Sequence, residues 1–430
     1  MDEVDTNECS LGNINDMSQG MPVQRQIISS TMMTVKPKIM DESVIEFDIK
    51  NESSYIDLSK TELECKYRIV KGDNSNLTAA DKTGPVNYMI ASLFSNVSIE
   101  LNGVVITDGS SNYAERANME LLMTYGRDAA ESWLKAGGFE KDTAGKMDEA
   151  DPTAADPNIG LKTRSEYTKL SKLVTVRGKV HEDIFNQPRL LPNKSRLYIK
   201  FTPNRDAYCL MANDNNAKYK IQIKEMRLLL HTVIVSDEVQ LGNTNKDTVI
   251  PITRAIQREF TVTPGGRTFT ENSLHSGDIP ARIVFGLVSH AAHVGSYQLN
   301  PFNWTSADLH SVKLFLDGQV VDGRPLIVDF DNNDVMDGFW SLQRATNTRY
   351  SNAGSLIELD DYKSGYALWA FDLSATQCDE QFIDPPKQGN LSLELEFAKN
   401  LATPLTLCVY MQFDNKIIIN EFGKTIKVWK

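Results

Sequence analysis

From Ser43 onward the chain alternates apolar and polar residues over short runs. Val44-Ile45-Glu46-Phe47-Asp48-Ile49 and Leu63-Glu64-Cys65-Lys66-Tyr67-Arg68-Ile69-Val70 put every second side chain on one face, the period of a half-buried strand. Val97-Ser98-Ile99-Glu100-Leu101 does the same, breaks at Asn102-Gly103 and resumes as Val104-Val105-Ile106. Asn-Gly between alternating runs predicts a hairpin, because a two-residue turn of this kind needs φ > 0 at both positions. Further strands are predicted at 172–176, 195–201 and 221–235. A polar bridge at 238–248 follows, then strands at 258–262, 281–288, 311–316, 366–371, 391–397, 405–413 and 416–419.

Two stretches break the alternation. Between Tyr113 and about Lys135, Ala117, Leu121, Leu122 and Tyr125 recur at helical spacing, with Gly126 as a candidate C-terminal cap. The Ala/Gly/Asp/Lys-rich residues 136–163 read as a long exposed loop. Residues 1–40 are polar and Met-rich, which predicts an arm that is disordered alone or ordered by a neighbour. The expected class is therefore all-β: a first unit over 41–240, with a short helical insertion and exposed loop at about 113–165, and a second over 249–430. Each would hold roughly eight strands, as two sandwiches in tandem.

An internal echo supports this division. Residues 97–105 align with Val312-Lys313-Leu314-Phe315-Leu316-Asp317-Gly318-Gln319-Val320, so Asp317-Gly318 stands where Asn102-Gly103 does. Later, Leu197-Tyr198-Ile199-Lys200-Phe201 echoes Leu393-Glu394-Leu395-Glu396-Phe397. Two echoes in the same order point to a repeated architecture.

Composition narrows the class. With 430 residues, 41% of them apolar and 24% charged, the chain can fill large cores without staples. Its net charge of −12 is opposite to that of a surface that wraps nucleic acid. The opening Met1-Asp2-Glu3-Val4-Asp5 has neither the basic start nor the apolar stretch of a secretory signal. The longest nearly apolar run, 228–235, falls far short of the roughly 18 residues of a membrane span. Cysteines at 9, 65, 209, 378 and 408 form no Cys-x-x-Cys pair and read as buried free thiols in a reducing compartment. The Asn-x-Ser/Thr triplets at 51, 76, 96, 193, 303 and 390 read as chance matches.

Candidate chemistry is sparse. Gly423-Lys424-Thr425 looks like the end of a phosphate loop, but its first glycine would fall at Ile418. His290 and His293 form His-x-x-His without the His-x-His-plus-carboxylate set of a bicupin, and read as polar residues near a strand end. Asp329-Phe330-Asp331-Asn332-Asn333-Asp334 opens like a calcium loop, yet Asp334 stands where glycine is needed and Trp340 where glutamate is. The aromatic clusters 301–304 and 366–371 read as core and subunit contact. No catalytic set, cofactor site or metal site is expected.

Three stretches carry a resemblance. The first is Ser92-Leu93-Phe94 leading into the strand that ends at Asn102-Gly103. The second runs from Arg116 and Ala117 through Glu120 and Leu121-Leu122 to Tyr125-Gly126, with Glu115 and Asn118 standing where relatives tend to have aromatic residues. The third is Leu191-Pro192-Asn193 followed by the strand 197–201, then Cys209-Leu210-Met211. Together they resemble the double jelly-roll major capsid (hexon-like) proteins of Polinton/Maverick elements and adintoviruses, with virophage and large-DNA-virus capsid proteins more distantly similar.

The resemblance implies a jelly roll in each half and a homotrimer that presents six sandwiches and tiles an icosahedral shell with neighbouring trimers. It also implies penton and minor capsid proteins as further partners, no sequence-specific nucleic-acid contact, and a place in the virion after synthesis in a host cytoplasm and assembly there or in the nucleus. The alternatives are a penton, attachment or lectin-like binding protein, and a hydrolase built from two jelly rolls.

Overall fold

The computed structural model describes residues 26–107, 109, 112–214, 218–243, 246–350, 354–375 and 385–427. Eight principal strands build the first half: β1 (Ile27–Val35), β2 (Ile45–Lys50), β3 (Tyr55–Lys71), β4 (Phe94–Leu101), β5 (Val104–Val105), β6 (Val174–Lys179), β7 (Arg196–Pro203) and β8 (Tyr219–Val235). They pair as two antiparallel sheets, β1-β8-β3-β6 and β2-β7-β4-β5, the second extended at the β2 edge by the short strand Ile39–Met40.

Eight more build the second half: β9 (Thr248–Val262), β10 (Thr268–Asp278), β11 (Arg282–Ser289), β12 (Leu309–Leu316), β13 (Gln319–Val320), β14 (Leu368–Asp372), β15 (Gln388–Phe397) and β16 (Leu405–Ile419). Their sheets run β9-β16-β11-β14 and β10-β15-β12-β13. Adding eight to each strand number turns the first pair of orders into the second, so both halves have one topology, that of a jelly roll.

Alternation explains most strands. In β2, Ile45, Phe47 and Ile49 are buried while Glu46, Asp48 and Lys50 point outward. In β3, Leu63, Cys65, Tyr67 and Ile69 line the core between Glu62, Glu64, Lys66 and Arg68. The sheet β9-β16-β11-β14 behaves differently. Ile283, Phe285 and Leu287 of β11 pack inside the second sandwich, whereas Val284 and Val288 join the core shared with the first half. Likewise Leu407, Val409 and Met411 of β16 face inward, while Cys408 and Tyr410 face the first half. A sheet covered on both faces reads as a continuous apolar run, as these strands do.

The insertion between β5 and β6 supplies the cover: α1 (Tyr113–Thr124), the helical turns Arg127–Glu131 and Trp133–Gly137, and α2 (Ile159–Thr168). The second half carries its own insertion between β13 and β14, with α4 (Met336–Ala345), and α3 (His290–Val294) follows β11.

Four expectations need correction. Residues 27–35 are not an arm. They form β1 on the edge of the first sandwich, paired with β8 from Ile27–Val235 to Val35–Leu228, with Thr31 and Thr232 hydroxyls 3.0 Å apart. Ile-Ile-Ser-Ser-Thr-Met-Met shows no alternation because this edge strand is exposed on both faces. The arm's residues 1–25 lie outside the described ones. Residues 136–163 are not an exposed loop: Phe139, Asp142, Met147, Asn158 and Leu161 are buried, and the segment contributes the start of α2. Helix α1 ends at Thr124. Gly126 is extended (φ −97°, ψ −178°) and precedes the next helical turn rather than capping α1. The stretches 405–413 and 416–419 are one strand, β16, while β10 and α4 have no counterpart in the sequence reading.

Candidate functional site

The hairpin turns show how closely the halves correspond. Asn102 and Gly103 have φ of 52° and 80°, and Asp317 and Gly318 have 50° and 80°. The Asn102 amide donates to the carbonyl of Arg196 at 2.9 Å while its Oδ1 accepts from the Arg196 amide at 2.8 Å. Asp317 makes the same pair with Asn390, at 2.9 and 2.8 Å. Both turns thereby pin a hairpin tip to the neighbouring strand. The preceding strands match too, with a register shift between Phe94 and Asn96 in β4 and another between Leu309 and Ser311 in β12.

The second echo falls on equivalent strands, β7 and β15, but two residues out of register. Leu101 pairs with Leu197 and Leu316 with Leu391, so Phe201 corresponds to Leu395 rather than Phe397. A two-residue slip keeps every side chain on its face, which is why the sequence tolerates either alignment.

Polar chemistry concentrates where the halves meet. Arg116 on α1 is 5% exposed and donates to Glu120 at 3.0 Å, to Glu182 at 3.1 Å and to Asp183. Glu120 also meets His181 Nδ1 at 3.0 Å, and His181 Nε2 lies 2.9 Å from the Tyr88 hydroxyl. From the second half, Tyr410 Oη donates to Glu120 at 3.2 Å, and the Ala255 amide donates to Asp183 at 3.1 Å. Burial opposes ionisation of Glu120, but the Arg116 charge and the His181 contact outweigh it and hold the carboxyl at about 2. Asp183 moves the other way, raised by burial.

A second network grows from the insertion. Arg164 on α2, 2% exposed, donates to Asp142 Oδ1 at 2.7 Å and to the carbonyl of Pro85 at 2.9 Å. Asp142 also accepts from Asn158 at 2.9 Å and, across the junction, from Asn300 at 3.1 Å. Its carbonyl accepts from Tyr366 Oη at 2.9 Å. The residues that depart from the family pattern belong here: Asn118 accepts from the buried Trp304 indole at 3.0 Å, and Glu115 lies 3.3 Å from His293 Nδ1. Buried polar groups satisfied in this way fix how two surfaces meet, since each orphaned partner costs about 1–3 kcal/mol.

Of the motif positions, Arg116 and Glu120 carry the junction and Ala117 is buried beside them. Ser92 Oγ donates to the Asn87 carbonyl at 2.7 Å, ending the turn Met89–Ser92. Leu93 and Phe94 are core, with Phe94 4.9 Å from the Phe201 ring centre. Tyr125 packs edge-on against Trp133 at 4.9 Å, and its carbonyl accepts from Leu356 of the second half at 3.1 Å. Gly126 makes no capping turn. Pro192 and Asn193 form a half-buried turn into β7 and do not reach the junction.

The remaining candidates resolve into structure. Asp329 is bonded by Asn332 through its amide at 3.0 Å and its side chain at 2.7 Å, closing the calcium-like turn on itself. Thr425 opens a short strand on β16, not a helix. His290 contacts Thr406 Oγ1 at 3.0 Å, while His293 points instead at Glu115 and Glu259. Phe302, Trp304, Trp369 and Phe371 are buried. Cys65, Cys209 and Cys408 are free and buried, and Cys9 and Cys378 lie outside the described residues. Among the described residues no helix is long and apolar enough to cross a membrane. Sequence reading missed Asp142, Arg164, Asn300 and Glu259. None sits in a motif; of the junction residues the sequence singles out Arg116 and Glu120 as motif positions, with Glu115 and Asn118 beside them.

No family model matches the chain. A Caenorhabditis elegans protein described as uncharacterized is 28% identical over 405 residues, covering 89% of this chain and 93% of its own. Among solved structures, a chain of the Sputnik virophage aligns over 100% of this chain and 94% of its own, with a TM-score of 0.66 and 13% identity. The mavirus major capsid protein aligns over 99% and 96% (TM-score 0.55, 12% identity). The Faustovirus major capsid protein aligns over 94% and 93% (0.56, 10%). End-to-end coverage on both sides means that both sandwiches and their arrangement are shared. The chain has the double jelly-roll fold seen in virophage and large-virus capsid proteins.

Proposed function

We propose that this chain is the major capsid protein of an icosahedral virus or virus-like element, a shell-forming protein rather than an enzyme. The observation that carries the reading is the repeated topology. Two sandwiches with matching strand orders, hairpin turns and strand bulges give three copies of one chain six similar walls, a pseudo-hexagonal block that can tile a closed surface. The capsid proteins with the same fold support it.

Exposed apolar groups fit a subunit that is buried on assembly. Trp133, Tyr167, Leu170 and Leu173 stand out on the first half's insertion, and Ile327, Met336, Trp340 and Tyr350 on or near the second's. Trp133 and Trp340 are 47% and 48% exposed, one on each insertion. The animal relative suits an element resident in a genome, of the Polinton/Maverick or adintovirus kind. In this reading the two sequence units, 41–240 and 249–430, shift so that the first begins with β1. Penton and minor proteins join at vertices and on the inner surface.

Native mass spectrometry of the purified chain tests the proposal. A dominant trimer is expected, weakened by Trp133→Asp or Trp340→Asp. A monomer at micromolar concentration, indifferent to both substitutions, would overturn it.

A further inference from the structure

Beside the charged junction lies a cluster with a different composition. Glu259 on β9 and Cys408 on β16 are cross-strand partners, so their side chains leave the sheet on one face. His293, on α3 after β11, reaches the same spot. The nearest donor atoms of Glu259, His293 and Cys408 all lie within 4.8 Å of one another. His293 Nε2 is 3.1 Å from Glu259, and its Nδ1 is 3.3 Å from Glu115 on α1 of the first half. Glu259 Oε1 is a buried atom without a hydrogen-bond partner among the described residues, and Cys408 is fully buried.

We propose that Glu259, His293 and Cys408 form a binding site for a thiophilic divalent cation of the zinc type, with Glu115 as the carboxylate that orients His293. Imidazole, thiolate and carboxylate together are a donor set that zinc favours over magnesium or calcium. Zinc bonds of about 2.0–2.3 Å place tetrahedral ligand atoms roughly 3.5 Å apart, so a modest side-chain contraction closes the shell. Glu259 Oε1 or a water takes the fourth position. Glu115 holds the Nδ1 proton and leaves the Nε2 lone pair for the metal, the arrangement that carboxylate-histidine pairs give zinc.

The charge balance is consistent. The cation exchanges for protons on its donor atoms. When the cation binds, the proton on His293 Nε2 and the thiol proton of Cys408 leave to solvent. Two positive charges replace two protons, and the net charge of the buried site does not change. A cleft of about 550 Å³, lined by His290, Ala291, Val294, Ala207 and Pro404, opens along the neighbouring face of α3. Because Glu115 belongs to the first half and the three ligands to the second, the ion would clamp the two sandwiches together. The site does not depend on the capsid reading.

The test is titration of the purified full-length chain, stripped with a chelator, with cobalt(II) and zinc(II). Expected are a single ion per chain, a thiolate-to-cobalt charge-transfer band, and a rise in Tm on adding zinc. Cys408→Ala and His293→Gln should each abolish the band and the zinc-induced rise. Glu115→Gln should keep the band and weaken affinity about 10–100-fold. Comparing each variant with and without chelator separates poor folding, which lowers Tm in both states, from a lost site, which removes only the rise. Absence of the band in the unmodified chain, or its persistence in Cys408→Ala, would overturn the proposal. Unchanged affinity in Glu115→Gln would overturn the orienting role.

Discussion

The first and second sandwiches share one wiring diagram but bury their sheets differently. In the first half β2 and β3 alternate along most of their length, and a small cluster of Tyr55, Val233 and Val235 is buried on the outer face at the end of β8. In the second half the sheet β9-β16-β11-β14 is covered on both faces, from inside by its own sandwich and from outside by α1 and the segment at 180–186 of the first. Duplicated topology therefore does not give duplicated packing. The first half supplies the insertion, and the second supplies the surface on which it rests. The insertion could not be purely apolar, because Arg116, Asp142 and Arg164 are buried in it, each paired with carboxylates, amides or carbonyls. Their directional bonds set the angle and register between two bodies that apolar contact alone would let slide.

The comparison breaks most visibly at Arg116. Arg116→Met leaves Glu120, Glu182 and Asp183 buried around an apolar group, and a stability loss of about 3–5 kcal/mol is expected in urea unfolding. A loss under about 1 kcal/mol would mean that the junction is not held by charge. Acid attacks the same point. The folded pKa of Glu120, about 2, lies below its ordinary value, so its contribution is complete above that ordinary range and disappears as pH falls through 4 towards 2. Tm measured down this range should fall more steeply for the unmodified chain than for Glu120→Gln.

Gly286 on β11 tests the doubly covered sheet. A methyl group there would sit 2.6 Å from Trp304 Cε3 and 2.7 Å from Leu368 Cδ2, so Gly286→Ala should cost about 1–3 kcal/mol through overpacking. Trp304→Phe, which orphans the buried Asn118 side-chain Oδ1, should cost about 1–3 kcal/mol, and Trp304→Phe with Asn118→Leu should recover part of it. The mildest changes sharpen the likeness of the halves. Asn102→Ala and Asp317→Ala each remove the bond to the neighbouring strand and strain a left-handed residue, which should lower stability by about 1–2 kcal/mol, and Asn102→Ala also loses the bond from Asn102 Nδ2 to the Gly423 carbonyl at 2.9 Å. An effect of Asp317→Ala larger than that of Asn102→Ala would show that the two hairpins are not doing the same job.

These outcomes also mark what the sequence could say. Alternating strands such as β2 and β4, and the Asn102-Gly103 and Asp317-Gly318 turns, were legible because a one-sided sheet and a tight hairpin impose local rules. Strand β1 was not, because an exposed edge strand held by backbone pairing to β8 needs no apolar face. Residues 136–163 read as solvent-facing because their polar groups are satisfied by one another and by Asn300, Asn303 and Tyr366, which lie far along the chain. The junction left its trace on α1 alone, in the motif residues Arg116 and Glu120 and the polar Glu115 and Asn118 beside them. The His293 cluster left only the His-x-x-His pair, read as polar residues near a strand end, since its ligands come from three elements of the second half and its orienting carboxylate from the first.

Cryo-electron microscopy of the purified assembly tests the central claim most directly. A ring of three chains is predicted, with six upright sandwiches alternating between the two halves and density for Arg116 and Arg164 joining each pair. A ring with another number of sandwiches, or halves that separate at that junction, would contradict the account.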